Sequence, residues 1–162
     1  MGEYPCCENT GLYPDRRALG LLIHVSPDAR RTMTKPRILV VDDEPNLSGL
    51  VRLFLEKTKR FDVRVENRSA HAMAAVREFR PDLVLLDVDM PGKDGGEVAR
   101  EIQAEPGLSG VPILFFTSLI SQAEAGARET VRGGMRFLAK PVNPKVLVET
   151  IDRVLAAEVH AV

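Results

Sequence analysis

Apolar residues fall into four short runs, continuous except for Arg136 in the last, and each run ends on a polar side chain. Ile38-Leu39-Val40-Val41 stops at Asp42-Asp43-Glu44, and Leu83-Val84-Leu85-Leu86 stops at Asp87. Val111 to Phe116 stops at Thr117-Ser118, and Met135 to Ala139 stops at Lys140-Pro141. Runs this short, with no polar alternation, suit strands buried on both faces, as in a parallel sheet covered by helices. A fifth strand is expected at Asp62–Glu66, where Val63 and Val65 share one face.

Helical spacing fills the intervals. Pro45 suits a first turn, and Leu47, Leu50, Val51, Phe54 and Leu55 recur through Asn46–Lys59. Ser69–Phe79 is Ala-rich and closed by Pro81, and Asp94 can cap a helix over Gly95–Ala104. A fourth helix is expected over Gln122–Arg132, broken by Gly133-Gly134. A fifth runs from Asn143-Pro144 to Ala157, burying Val146, Leu147, Ile151, Val154 and Leu155. The alternation predicts an α/β protein, a doubly wound five-stranded parallel sheet with five helices.

Residues 1–34 show no sustained period, carry Pro5, Gly11, Pro14, Gly20 and Pro27, and read as a poorly ordered arm. The folded domain is expected over 35–158, with 159–162 as a tail and no second domain following. Lys+Arg 22 against Asp+Glu 23 gives a formal charge of -1, which offers no general attraction to nucleic acid or membranes. No apolar run approaches the roughly 18 residues that span a bilayer. Cys6 and Cys7 are adjacent, cannot build a disulfide framework, and read as reduced thiols of a cytoplasmic protein. His24, His71 and His160 lie away from the strand ends and read as surface residues.

In an open α/β sheet, sites form outside the carboxyl ends of the strands, where strand order reverses. Asp42, Asp43, Asp87, Thr117 and Lys140 are the residues delivered there. Clustered carboxylates repel one another unless a cation is present. Mg²⁺ is a hard ion that takes carboxylate oxygens and leaves room for phosphate. A carboxylate can attack phosphorus to give an acyl phosphate. Lys140 and the Thr117 hydroxyl could neutralise the phosphoryl oxygens that Mg²⁺ leaves free.

The segments Ile38–Glu44, Leu83–Gly95, Phe115–Ser118 and Phe137–Pro141 resemble the receiver domains of two-component response regulators, over about residues 36 to 158. That resemblance implies a flavodoxin-like strand order 2-1-3-4-5 and makes Asp87 the phosphoryl acceptor. It implies that Asp43 binds Mg²⁺ directly, Asp42 through water, and that Asp87 and the backbone carbonyl of Asp89 complete the metal site. Thr117 and Lys140 would hold phosphoryl oxygens, Phe137 would move inward with Thr117 on activation, small Ser118 would leave the group accessible, and the Lys140–Pro141 bond would be cis.

The implied donor is a sensor histidine kinase or a histidine phosphotransfer protein. The readout is a downstream protein or a second copy of the chain, met through the fourth helix, fifth strand and fifth helix. Such a domain assists its own phosphorylation and is not a turnover enzyme. Two other readings compete. One is a receiver-shaped binding module that is never phosphorylated. The other is a phosphatase of the haloacid dehalogenase type, which Asp87-Val88-Asp89, Thr117 and Lys140 also resemble. That family places its nucleophile strand near the start and needs a further acidic motif after the lysine, whereas here the acid pair lies upstream and nothing acidic closes a strand after Lys140.

Overall fold

The computed structural model describes residues 34–119 and 130–159. The expected arm up to residue 33, the 122–129 part of the fourth helix, His24, His160 and most of the tail lie outside them. The elements are β1 (Arg37–Val41), α1 (Pro45–Lys57), β2 (Asp62–Glu66), a 3-10 turn (Ser69–His71), α2 (Ala72–Phe79) and β3 (Leu83–Leu86). They continue with α3 (Gly95–Ala104), β4 (Ile113–Thr117), β5 (Thr130–Arg132), β6 (Met135–Ala139) and α4 (Pro144–Val159).

The sheet has six strands in the order β2-β1-β3-β4-β6-β5. The first five positions reproduce the expected order with every pairing parallel. The sixth strand corrects the prediction. Thr130–Arg132, expected as the end of a helix, is an edge strand antiparallel to β6. Gly133 and Gly134, at φ 58 and 82, make the two-residue turn. Two positive φ values in succession suit the twist of a tight hairpin, so the glycine pair joins two strands.

Alternation along each strand builds two separate cores. Ile38 and Val40 of β1, Leu83 and Leu85 of β3, Leu114 and Phe116 of β4 and Leu138 of β6 pack against α1 and α4. Leu39, Val41, Val84, Leu86, Ile113 and Phe115 face the other way, toward α2 and α3. Both faces of the sheet are therefore covered, which is why the strands read as continuous apolar runs. Truncating a buried residue such as Leu85 to Ala would cost about 2–5 kcal/mol.

Leu147, Ile151 and Val154 of α4 are buried, with Val146 and Leu155 packed partly against them, as expected. In α1 the buried stripe is narrower than the periodicity suggests. Val51 and Leu55 are buried, whereas Leu50 is 46% exposed because it lies roughly 100° round the helix from Val51. Pro45 occupies the first turn of α1 as anticipated. The segment from Ser69 begins as the 3-10 turn before α2. His71 is exposed, as expected.

Candidate functional site

Strand register alone brings the acids together. Val41 lies opposite Leu86 in the β1–β3 pair, so Asp42 and Asp87 leave the sheet side by side, and the Asp87 amide donates to the Val41 carbonyl at 2.9 Å. Thr117 lies opposite Ala139, and the Lys140 amide donates to the Thr117 carbonyl at 2.9 Å. Lys140 thus starts one residue beyond β6, with its side chain free to reach across the strand ends. The Lys140–Pro141 peptide bond is cis, as expected.

The Lys140 ammonium sits 2.7 Å from Asp42 Oδ2 and 3.2 Å from Asp87 Oδ2. It also stands 5.2 Å from the centre of the Phe116 ring, whose electron-rich face favours a cation. All three partners are at most one-tenth exposed, so the contacts are poorly screened by solvent. The other oxygen of each carboxylate is held by backbone. Asp42 Oδ1 accepts from the Glu44 amide at 2.9 Å, and Asp87 Oδ1 accepts from the Val88 amide at 2.8 Å.

Burial holds the Asp87 carboxyl above its ordinary range. Lys140 pulls it back down by charge and hydrogen bonding, the Asp42 charge raises it further, and the Val88 amide lowers it. Burial outweighs the ammonium.

One carboxylate oxygen from each of Asp42, Asp43 and Asp87 lies within 4.8 Å of the other two. Three hard oxygen donors at that spacing fit a small divalent cation, with one ammonium beside them leaving the cluster net negative. Asp43 and Asp87 line an open cleft of about 600 Å³ together with Glu44, Pro45, Leu47, Asp89, Ser118, Lys140 and Pro141. Asp89 is exposed on its rim.

Thr117 is buried at the end of β4, and its hydroxyl accepts from the Leu119 amide at 3.1 Å. Phe137 is half-buried and stacks on Phe115 with ring centres 5.0 Å apart. It faces the α2–α3 side of the sheet, on the same side as its neighbour in the stack.

The approach of α3 is set by Gly95. A Cβ there would run into the backbone carbonyl of Asp87 and lie 2.9 Å from the Val88 Cα. The Gly95 amide donates to the Val88 carbonyl at 2.9 Å, and Asp94 caps α3 in a reciprocal capping box with Glu97. Asp94 is thus a cap, as its position predicted.

Asn67, Ser48 and Ser69, all hydrogen-bonded around this region, escaped the sequence reading. Asn67 lies between β2 and the 3-10 turn that Ser69 opens, Ser48 sits in the first turn of α1, and none carries a charge that would single it out.

Sequence comparison places these features in a family. The response regulator receiver domain signature matches residues 38–152. The DNA-binding response regulator MtrA of Mycolicibacterium smegmatis is 38% identical over 123 residues, covering 72% of this chain and 49% of MtrA. The chain thus spans about half the length of the curated MtrA relatives it matches. Protein PilH of Pseudomonas aeruginosa is 33% identical over 122 residues, covering 74% of this chain and 98% of PilH.

Among solved structures, the chemotaxis response regulator CheY4 of Vibrio cholerae superposes with a TM-score of 0.63 at 28% identity, covering 75% of this chain and 99% of CheY4. The N-terminal receiver domain of Klebsiella pneumoniae RstA gives 0.58 at 32% identity, covering 74% and 97%. With the flavodoxin-like strand order and the acid-and-lysine cluster at the strand ends, these matches make the chain a member of the receiver-domain family of two-component response regulators.

Proposed function

We propose that Asp87 accepts a phosphoryl group from a phosphohistidine of a sensor kinase or phosphotransfer protein. The observation that carries this reading is the Lys140 ammonium bridging Asp42 and Asp87 inside a triad of carboxylates. A carboxylate oxygen of Asp87 attacks phosphorus. The P–O bond forms as the P–N bond to the donor imidazole breaks, and the electron pair returns to the ring nitrogen. Val88 holds one Asp87 oxygen, which leaves the other to the incoming phosphorus.

Lys140 moves with the charge. It starts between two carboxylates and stays to neutralise an oxygen of the transferred group. Thr117 gives its hydroxyl to a second oxygen once released from the Leu119 amide. Asp43, Asp42, Asp87 and the carbonyl of Asp89 would hold Mg²⁺, which supplies positive charge to both the carboxylates and the phosphoryl oxygens. The chain thus assists its own modification and does not act as a turnover enzyme.

The added charge draws Thr117 toward the site and lets Phe137 slide from its stack on Phe115, which shifts the surface formed by β6 and α4. A downstream protein or a second copy of the chain reads that surface. PilH, covered almost end to end, supports a domain of this size working alone, and the reading places it in the cytoplasm. Among the described residues, no helix is long and apolar enough to cross a membrane.

The direct test is the intact mass after incubation with acetyl phosphate and Mg²⁺, beside Asp87→Asn. A gain of one phosphoryl group in the wild type alone is expected. No gain from acetyl phosphate or from a phosphorylated kinase, with Mg²⁺ bound and the fold intact, would leave a receiver-shaped binding module instead.

A further inference from the structure

The connection from β2 to α2 contributes nothing to the chemistry above, yet it is tied to both loops that carry the acids. Asn67 Nδ2 donates to the backbone carbonyl of Asp42 at 2.6 Å and to Ser48 Oγ at 2.7 Å. Ser48 Oγ donates onward to the Pro45 carbonyl at 3.3 Å. One amide therefore spans the turn between β1 and α1, from the first acid to the first turn of the helix.

Two residues further on, the Ser69 hydroxyl donates to the Pro91 carbonyl at 2.8 Å and accepts from the Lys93 amide at 3.3 Å. That grips the loop between β3 and α3 just beyond Asp89. Ser48 is 1% and Ser69 6% exposed, so both hydroxyls are largely shielded from solvent. The partners are 19 to 25 residues apart in the chain, so none of the four long-range bonds is a by-product of local turn geometry.

We propose that Asn67 and Ser69 form a bracket that fixes the spacing of the two acidic loops and thereby sets the affinity of the site for a divalent cation. The inference rests on the phosphoryl-acceptance reading and adds two positioning residues to it. Its physical basis is preorganisation. Asp42, Asp43 and Asp87 repel one another at their spacing, and loops free to relax would move them apart. A cation would then have to order the loops as it binds, and that ordering would be subtracted from its affinity.

Groups that orient metal ligands in this indirect way change metal affinity by about 10- to 100-fold when removed. Asn67 acts through the Asp42 carbonyl and the start of α1, and Ser69 through the loop that carries Asp89. Neither needs to touch the ion.

The test is calorimetric titration of Mg²⁺ into the full chain, well below the melting temperature, for the wild type, Asn67→Ala, Ser69→Ala and the double variant. Each single change is expected to raise Kd several-fold and the pair to raise it about tenfold or more. Ser69→Thr, which keeps a hydroxyl, should stay near wild type. Amide spectra of the metal-free proteins should show residues 42–44 and 89–93 shifting in the variants. Should the double variant not fold, either single variant carries the test.

A wild type that binds Mg²⁺ alongside variants with an unchanged Kd and a lower melting temperature would overturn the bracket alone. The hydrogen bonds would then hold only the fold. A wild type that binds no Mg²⁺ would overturn the phosphoryl-acceptance reading and the bracket with it.

Discussion

Where β1 and β3 end, the chain is tied down at each step: Asp42 by the Glu44 amide and Lys140, Asp87 by Val88 and Lys140, and the following loop by Ser69 and the capped start of α3. Where β5 turns into β6 there is space. Val131 and Met135 are 57% and 44% exposed, and a Cβ added to Gly133 or Gly134 would meet nothing within 4 Å. The acidic end is constrained by neighbours from distant parts of the chain, whereas at the hairpin turn Gly133 and Gly134 have open space around them. Chemistry that depends on the position of one oxygen needs the first kind of construction. A surface that changes partners can use the second.

Gly95→Ala should break the tight end most severely. Its Cβ has only backbone to displace, and backbone cannot rotate away as a flexible side chain can. We expect a loss of about 3 kcal/mol in urea unfolding, at the upper end for overpacking, together with loss of phosphoryl acceptance. A wild-type unfolding midpoint would mean that the Asp87 turn yields easily and that the two ends differ less than their contacts suggest.

Gly134→Ala probes the loose end. Its φ of 82° lies in the left-handed region, which costs a residue with a Cβ about 1–2 kcal/mol. Only the backbone is strained, so the mass gain at Asp87 should persist. Loss of acceptance in a folded Gly134→Ala protein would show the hairpin to be coupled to the acceptor, against the contrast drawn between them.

The smallest effect is expected for Asp87→Asn in metal-free buffer, and its sign is informative. The folded carboxyl is raised above its ordinary value, chiefly by burial. Its contribution to stability is then full below the unfolded pKa and is lost as pH rises through the folded pKa. The ionised group therefore opposes folding at neutral pH, and the asparagine variant should melt higher than wild type at pH 7. The gap should close below about pH 4, near the ordinary Asp pKa, where the wild-type carboxyl is protonated in both states. A wild type that melts higher at pH 7 would place the attraction of Lys140 above the cost of burial.

Most of the fold could be read from the chain because strands covered on both faces leave a local mark. The runs Ile38–Val41 and Leu83–Leu86 needed no partner to be recognised, and the acids at their ends followed from where each run stopped. The stretch Thr130–Arg132 reads as a helix end for a local reason as well, although it forms an edge strand. A glycine pair can end a helix or turn a hairpin, and three residues are too few to show a period of 2 against 3.6. Leu50 shares the helical spacing of Val51 and Leu55 yet stays exposed, because spacing marks the centre of a helical stripe better than its edges.

From the sequence by itself came the doubly wound parallel sheet, the strand ends that carry chemistry and the residues there, since each depends on patterns a few residues long. Tertiary structure alone decided that Lys140 bridges Asp42 and Asp87, that burial outweighs that ammonium at Asp87, and that Asn67 and Ser69 hold the two acidic loops. Those are contacts between residues far apart in the chain, and a hydrogen bond or a desolvation cost exists only once folding has brought its partners within a few ångströms.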